Sequence, residues 1–326
     1  SRMVTLQGQT FGTTYSIKYL AHPHSPEAEQ VHQAIKQRLT EIDNIMSTWN
    51  AKSEITKLNA TPINTKLRIS EELLELLAIS DELYHASFKT FDISVGPLVN
   101  IWKAKDSGDN KIPTDEEIAL ARTQVGMDYL ELDLDGSSVS KRRKLDLTVD
   151  AIAKGYGVDE IGKLIAGLGI SDYLVEIGGE ILAQGSRESS GKNDKDQGWR
   201  VAIEQPDEVV RSSFDVFTLK NQAMATSGDY RNYYEKDGVR YSHIIDPRTA
   251  KPVRHRLASV SVVHSSATYA DAWATALFVL GEQEGLAVAN EEGLAAYFIS
   301  RAEDGFVVIQ SDEFVASNPN NNAYAY

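Results

Sequence analysis

The chain has 326 residues, 42% of them hydrophobic and 25% charged, the balance of an ordinary globular protein with enough length for a large core. Its net charge of -14 argues against general nucleic-acid binding, and any pyrophosphate ligand would need a cation or a local basic group to offset the acidic surroundings. Cysteine is absent, which excludes disulfides, thiolate metal sites and a cysteine nucleophile, and no apolar run nears the roughly 20 residues that span a bilayer.

Ser1-Arg2-Met3 reads as a cloning remnant, so a signal peptide already removed would leave no trace. Gly8 to Leu20 alternates in polarity and predicts one strand. From Pro26 to Met46, apolar residues at Val31, Ile35, Leu39, Ile42 and Ile45 recur at helical spacing. Ser70 caps a second helix carrying Leu73, Leu76, Leu77 and Leu83, and Thr114 opens a third that runs to about Val125. A fourth covers Ala153 to Leu168 and stops near Gly169.

Strands are predicted at 129–134, 173–177, 199–204, 214–219, 258–263 and 305–310, with a polar loop from Ser186 to Gly198. Ala267 to Leu280 is apolar almost all round, as a buried helix is. The tail from Ser317 to Tyr326 is expected to be loosely held. Without regular strand-helix alternation the class is α+β, and no linker divides the chain, so residues 1–326 read as a single domain.

Six segments carry chemistry-bearing residues. In Tyr269-Ala270-Asp271-Ala272-Trp273-Ala274-Thr275, Asp271 and Thr275 stand four apart on one helix face. Carboxylate and hydroxyl oxygens suit Mg²⁺ better than zinc. A cap and a hydroxyl returned to its own helix is the plain alternative. In Asp150-Ala151-Ile152-Ala153-Lys154-Gly155-Tyr156-Gly157, two glycines flank Tyr156 where a strand would give way to a helix. Such a junction offers amides and a lysine to a phosphate, or is simply a turn.

Thr226-Ser227-Gly228-Asp229 reads as a turn crowded with hydrogen-bonding groups, and His243 in Ser242-His243-Ile244-Ile245-Asp246-Pro247 is either a general base or a structural histidine. Trp49 in a polar turn either stacks on a planar base or covers core. Thr90-Phe91-Asp92 leads to Val95-Gly96-Pro97, read as a strand ending in a tight turn. Glu176-Ile177-Gly178-Gly179-Glu180 has paired glycines that let backbone approach something closely.

In this order, from Phe11-Gly12-Thr13 to Asp271, these segments resemble the ApbE family, the FAD:protein FMN transferases. The resemblance implies an ApbE/T-fold-like α+β architecture of two joined subdomains with FAD in the cleft between them. It implies Mg²⁺ held by Asp271, Thr275 and the carbonyl of Ala153. For FAD it points to Phe11, Trp49, Thr90, Phe91, Asp92, Asp150, Tyr156 and Ile245, with Lys154 in support, and it makes His243 the base for an incoming hydroxyl.

It further implies FMN transfer to a threonine of an acceptor protein, such as a subunit of a sodium-pumping or electron-transfer complex, and a periplasmic, lipid-anchored location. FAD hydrolysis to FMN and AMP, a non-catalytic flavin carrier and a module that binds no flavin are the other readings. Three positions depart from the family pattern: Phe11 for Met, Thr148-Val149-Asp150 for Asp-Leu-Ser, and Ala250 where glycine follows Thr249, which predicts a reshaped turn.

Overall fold

The computed structural model describes residues 1–103, 112–187, 198–204, 213–229, 233–236 and 239–317. Strand β1 (Arg2–Thr10) turns at Phe11 and Gly12 into β2 (Thr13–Ala21), where the sequence predicts a single strand. Both turn residues have positive φ, 50° and 72°, the hairpin geometry whose twist matches the flanking strands. The polarity pattern runs on through the turn and so hides it.

Helix α1 (Ala28–Met46) buries Val31, Ile35, Leu39, Ile42 and Met46, close to the stripe read from the sequence. Next come α2 (Glu54–Ala60), β3 (Leu67–Arg68) and α3 (Glu71–Ala86). Ser53 and Ser70 cap the two helices by accepting the amides of Thr56 and Leu73 at 3.2 and 3.1 Å. Val95-Gly96-Pro97 opens α4 (Gly96–Lys103) and does not end a strand; Pro97 falls in the first turn, where its missing N–H costs nothing.

Helix α5 (Asp115–Arg122), β4 (Leu130–Asp133) and β5 (Ser138–Lys141) lead to α6 (Asp150–Gly167). This helix starts three residues before the predicted Ala153, so Gly155 and Gly157 lie inside it and not at a strand-to-helix junction. Strands β6 (Tyr173–Ile177), β7 (Glu180–Gln184), β8 (Trp199–Glu204), β9 (Ser213–Leu219) and β10 (Gln222–Gly228) follow. Thr226-Ser227-Gly228 therefore finishes a strand and forms no turn.

Beyond it come β11 (Tyr233–Lys236), β12 (Val239–Ser242), β13 (Ile245–Asp246), β14 (Lys251–Pro252), β15 (Leu257–His264) and α7 (Ala267–Glu291). The predicted end of this last helix at Leu280 marks a break at Gly281, with φ 89°, after which the helix resumes. Strands β16 (Ala295–Ala302), which the sequence reading passed over, and β17 (Gly305–Gln310) precede α8 (Asp312–Ser317). Most of the polar loop at 186–198 and the tail after Ser317 lie outside the described residues.

Among the described residues the main sheet is antiparallel in the order β1-β2-β6-β7-β10-β15-β16-β17. Its middle is covered on both faces. Phe298 and Ala296 of β16 pack with α3 and α7, while Tyr297 and Ile299 pack with Trp199, Phe217 and Phe314 of β8, β9 and α8. Double coverage explains why β15 is buried from Leu257 to Val263 without alternating. A further apolar cluster joins β1, β2 and β6 to α1 and α6. Mixed helices and an antiparallel sheet make the fold α+β, as the sequence predicts.

The turn at Ala250 keeps the left-handed backbone a glycine would adopt, with φ 62°. Trp102 Nε1 donates to its carbonyl at 3.0 Å, and its amide donates to the Asp246 carbonyl at 2.8 Å. Alanine thus adopts the strained conformation there, at a cost on the order of 1–2 kcal/mol.

Candidate active site

Asp159, two turns into α6, ties that helix to the start of α7. Its carboxylate accepts the amides of Ala267 and Thr268 at 2.8 and 2.9 Å and the hydroxyls of Ser266 and Thr268 at 2.8 and 2.6 Å. A negative group at a helix N-terminus meets unpaired amides and the positive end of the dipole, so this clamp fixes where α7 begins.

The clamp brings Gly155 against the next turn of α7. A Cβ on Gly155 would lie 2.2 Å from the Ala267 carbonyl oxygen and 2.8 Å from Asp271 Cβ. With none present, the Gly155 amide reaches Asp271 Oδ2 at 2.9 Å. The glycine that resembles a phosphate-loop residue in the sequence is needed for helix crossing. Gly157 makes room instead for the β1–β2 turn, since a Cβ there would come 2.6 Å from the Phe11 ring.

Asp271 is only 6% exposed, and the carboxyl hydrogen-bonded to it belongs to Glu180, 3% exposed, at the first position of β7. Burial first, and then the nearby Asp271, push the Glu180 carboxyl well above the usual carboxylate range. Burial raises Asp271 as well, while the Gly155 amide and the Lys154 ammonium pull it back. Lys154 is the cation facing both acids, running beneath the hairpin turn where its Cδ approaches Gly178. Thr275, one turn beyond Asp271, donates its hydroxyl to the Asp271 carbonyl at 3.3 Å, the plain alternative read from the sequence. That bond leaves the hydroxyl oxygen with acceptor capacity.

A cavity of about 540 Å³ opens at the start of α6, lined by Phe11, Asp43, Trp49, Asp150 and Ala153 among others, and Ala153 stands two residues before Gly155. Its size is that of a small-molecule site. Trp49 is 94% exposed, so it covers no core, and it stands with Phe11 as an aromatic surface at the cavity. Asp150 is exposed at the start of α6. Asp43 also lines the cavity; the sequence reading passed it over because it lies on the polar side of an amphipathic helix.

Other expected residues sit elsewhere in the fold. Phe91 and Tyr156 are buried in one apolar cluster, and the Tyr156 hydroxyl donates to Glu72, which also pairs with Arg38. Thr90 donates to the Ser87 carbonyl at 2.8 Å, and Asp92 accepts the amide and hydroxyl of Ser94 at 2.8 and 2.6 Å. Ile245 is buried with Leu98, Trp102 and Ala250, and His243 is half-buried just before β13.

Glu180 is the residue whose weight the sequence did not disclose. It was visible only as the end of a glycine-glycine turn, and nothing in its neighbours announces a carboxylate buried against another.

The sequence pattern of the ApbE family matches residues 11–298, from the Phe11 turn to β16. The chain belongs to the ApbE family. Relatives named FAD:protein FMN transferase occur in Haemophilus influenzae, 37% identical over 96% of this chain and 91% of that one, and in Vibrio cholerae, 37% identical over 96% and 92%. The solved structure of the flavin transferase ApbE from Vibrio cholerae matches with a TM-score of 0.86 at 36% identity, covering 97% of this chain and 99% of that one.

The donor set around Asp271 fits the Mg²⁺ that the ApbE resemblance implies. Carboxylate, hydroxyl and carbonyl oxygens are the ligands of a hard cation, and a divalent ion relieves the repulsion of two acids buried together. Among the described residues no three His, Cys, Asp or Glu side chains converge as a metal cluster, so carbonyl and hydroxyl donors are needed here.

Proposed function

We propose that this chain is an Mg²⁺-dependent FAD:protein FMN transferase that attaches FMN to a threonine or serine hydroxyl of an acceptor protein and releases AMP. The observation carrying this reading is the buried Asp271, set one helical turn from Thr275 and held by Gly155, two residues along α6 from the cavity-lining Ala153. Family membership over nearly the whole chain supports the same activity.

Asp271, Thr275 and the Ala153 carbonyl would hold the ion. When bound, it supplies positive charge to the pyrophosphate as the phosphorus–oxygen bond opens. Lys154 adds a second positive charge on the same side. Phe11 and Trp49 offer aromatic surface to a planar ring. By resemblance, Thr90, Phe91, Asp92, Asp150, Tyr156 and Ile245 complete the FAD side.

The acceptor hydroxyl oxygen attacks the phosphorus that carries riboflavin, the bond to AMP breaks, and a phosphoester joins FMN to protein. His243 takes the hydroxyl proton as general base, a role imidazole nitrogens commonly fill. The FAD cleft lies between two packed halves of one domain.

The exposure of Trp49 favours a second activity at the same site, because water that reaches the cavity can replace the acceptor hydroxyl and hydrolyse FAD to FMN and AMP. AMP release with FAD and Mg²⁺, measured with and without acceptor, separates the two reactions. The resemblance supports a periplasmic, lipid-anchored location and an acceptor in a sodium-pumping or electron-transfer complex. Among the described residues no helix is long and apolar enough to cross a membrane.

A further inference from the structure

Among the described residues the other buried acids have their own partners. Asp229 meets Arg301 at 2.8 Å, Asp246 meets Arg248 at 3.1 Å, and Asp92 accepts two bonds from Ser94. Glu180 differs. It accepts one amide, from Thr226 at 3.1 Å, and its carboxyl otherwise lies against that of Asp271, with the half-buried Lys154 shared between the two.

The local chain is shaped to put it there. Gly178 and Gly179 have φ of 56° and 95°, a turn that side chains disfavour, and Glu176 Oε1 accepts the Gly179 amide at 2.9 Å. A Cβ on Gly178 would come 2.8 Å from Lys154 Cδ, so the bare turn also leaves room for the lysine. The turn sets Glu180 as the first residue of β7, and Thr226 of β10 holds its carboxyl toward α7.

Burying a carboxylate is costly unless it is paired, so without further positive charge the two acids share a proton; with both ionised they carry one negative charge more than Lys154 balances. A divalent cation matches that surplus, and oxygen donors are what Mg²⁺ takes. We propose that Glu180 is a second carboxylate of the cation site, holding the ion jointly with Asp271. This rests on the reading of Asp271, Thr275 and Ala153 as that site.

The test is Mn²⁺ binding followed by electron paramagnetic resonance, with and without FAD, on wild type and on Glu180→Gln, Glu180→Asp, Asp271→Asn and Glu176→Gln. Glutamine keeps the size of Glu180, still accepts the Thr226 amide and still donates to Asp271, so a purely structural role leaves affinity unchanged. A ligand role weakens Mn²⁺ binding by at least about tenfold in Glu180→Gln and less in Glu180→Asp, which keeps the charge. Glu176→Gln stays near wild type.

If Glu180→Gln fails to fold by circular dichroism, the aspartate variant decides, with weaker binding supporting the proposal and unchanged binding overturning it. Wild-type affinity in a folded Glu180→Gln, alongside loss in Asp271→Asn, overturns the role of Glu180 alone. A wild type that binds no Mn²⁺ in either condition overturns the cation site itself, and Glu180 with it.

Discussion

The amide of Gly155 lies 2.9 Å from Asp271 Oδ2, a bond between two helices that exists because position 155 has no side chain. Alanine there would push into the Ala267 backbone, which Asp159 holds in place. Gly155→Ala is expected to cost about 3 kcal/mol in urea unfolding, the upper range for overpacking. Gly157→Ala meets a movable Phe11 ring and the tip of Ile177 and gains helix propensity, so it should stay within about 1 kcal/mol of wild type. Equal losses at the two glycines would contradict this account of the crossing.

Asp159→Asn keeps the shape of the clamp but removes its charge and half its acceptors. Four donors converge on that carboxylate. Unfolding free energy should fall by about 1–2 kcal/mol, with a lower thermal midpoint. A variant as stable as wild type would mean the start of α7 is set by apolar packing alone.

Stability should also respond to pH through His264, whose Nδ1 accepts the Ser266 amide at 2.9 Å and whose ring stacks on Tyr269. Burial holds His264 below the ordinary value of 6.5, partly offset by Asp159. As pH falls through 6.5 the unfolded chain takes up this proton before the folded chain does, so the histidine's contribution to stability is lost on acidification. The Glu180–Asp271 pair, being raised, works in the opposite sense, so the comparison must be with a variant. His264→Gln should gain on wild type as the pH drops from about 7.5 to about 5.5, by at most about 1.4 kcal/mol per pH unit. A constant difference in urea midpoint across that range would count against it.

Trp49 separates binding from folding. At 94% exposure its loss should leave unfolding unchanged. If it stacks on a ring of FAD, Trp49→Ala weakens FAD binding by about 1–3 kcal/mol, read by fluorescence titration. Unchanged affinity would remove Trp49 from the site.

Local periodicity carried much of the fold. The apolar stripes of α1 and α3, the serine caps and the strands at 173–177 and 199–204 are where spacing and capping place them. The same logic failed where two elements share one pattern or where tertiary contact decides. Phe11-Gly12 turns a hairpin inside an unbroken alternation, and Gly155 serves the crossing with α7 and Gly157 the packing of Phe11, though both look like a loop.

The site was legible in the same measure. Asp271 and Thr275 share a face because four residues make about one turn. The approach of Glu180 to Asp271 joins a strand to a helix some 90 positions away in the chain, roughly the kind of long-range pairing that no local pattern encodes.

The most direct measurement is intact-protein mass spectrometry of a threonine-bearing acceptor incubated with FAD, Mg²⁺ and either wild type or Asp271→Ala. The account expects a covalent FMN adduct on the acceptor with wild type and none with a folded Asp271→Ala. An adduct formed equally well by Asp271→Ala would contradict it.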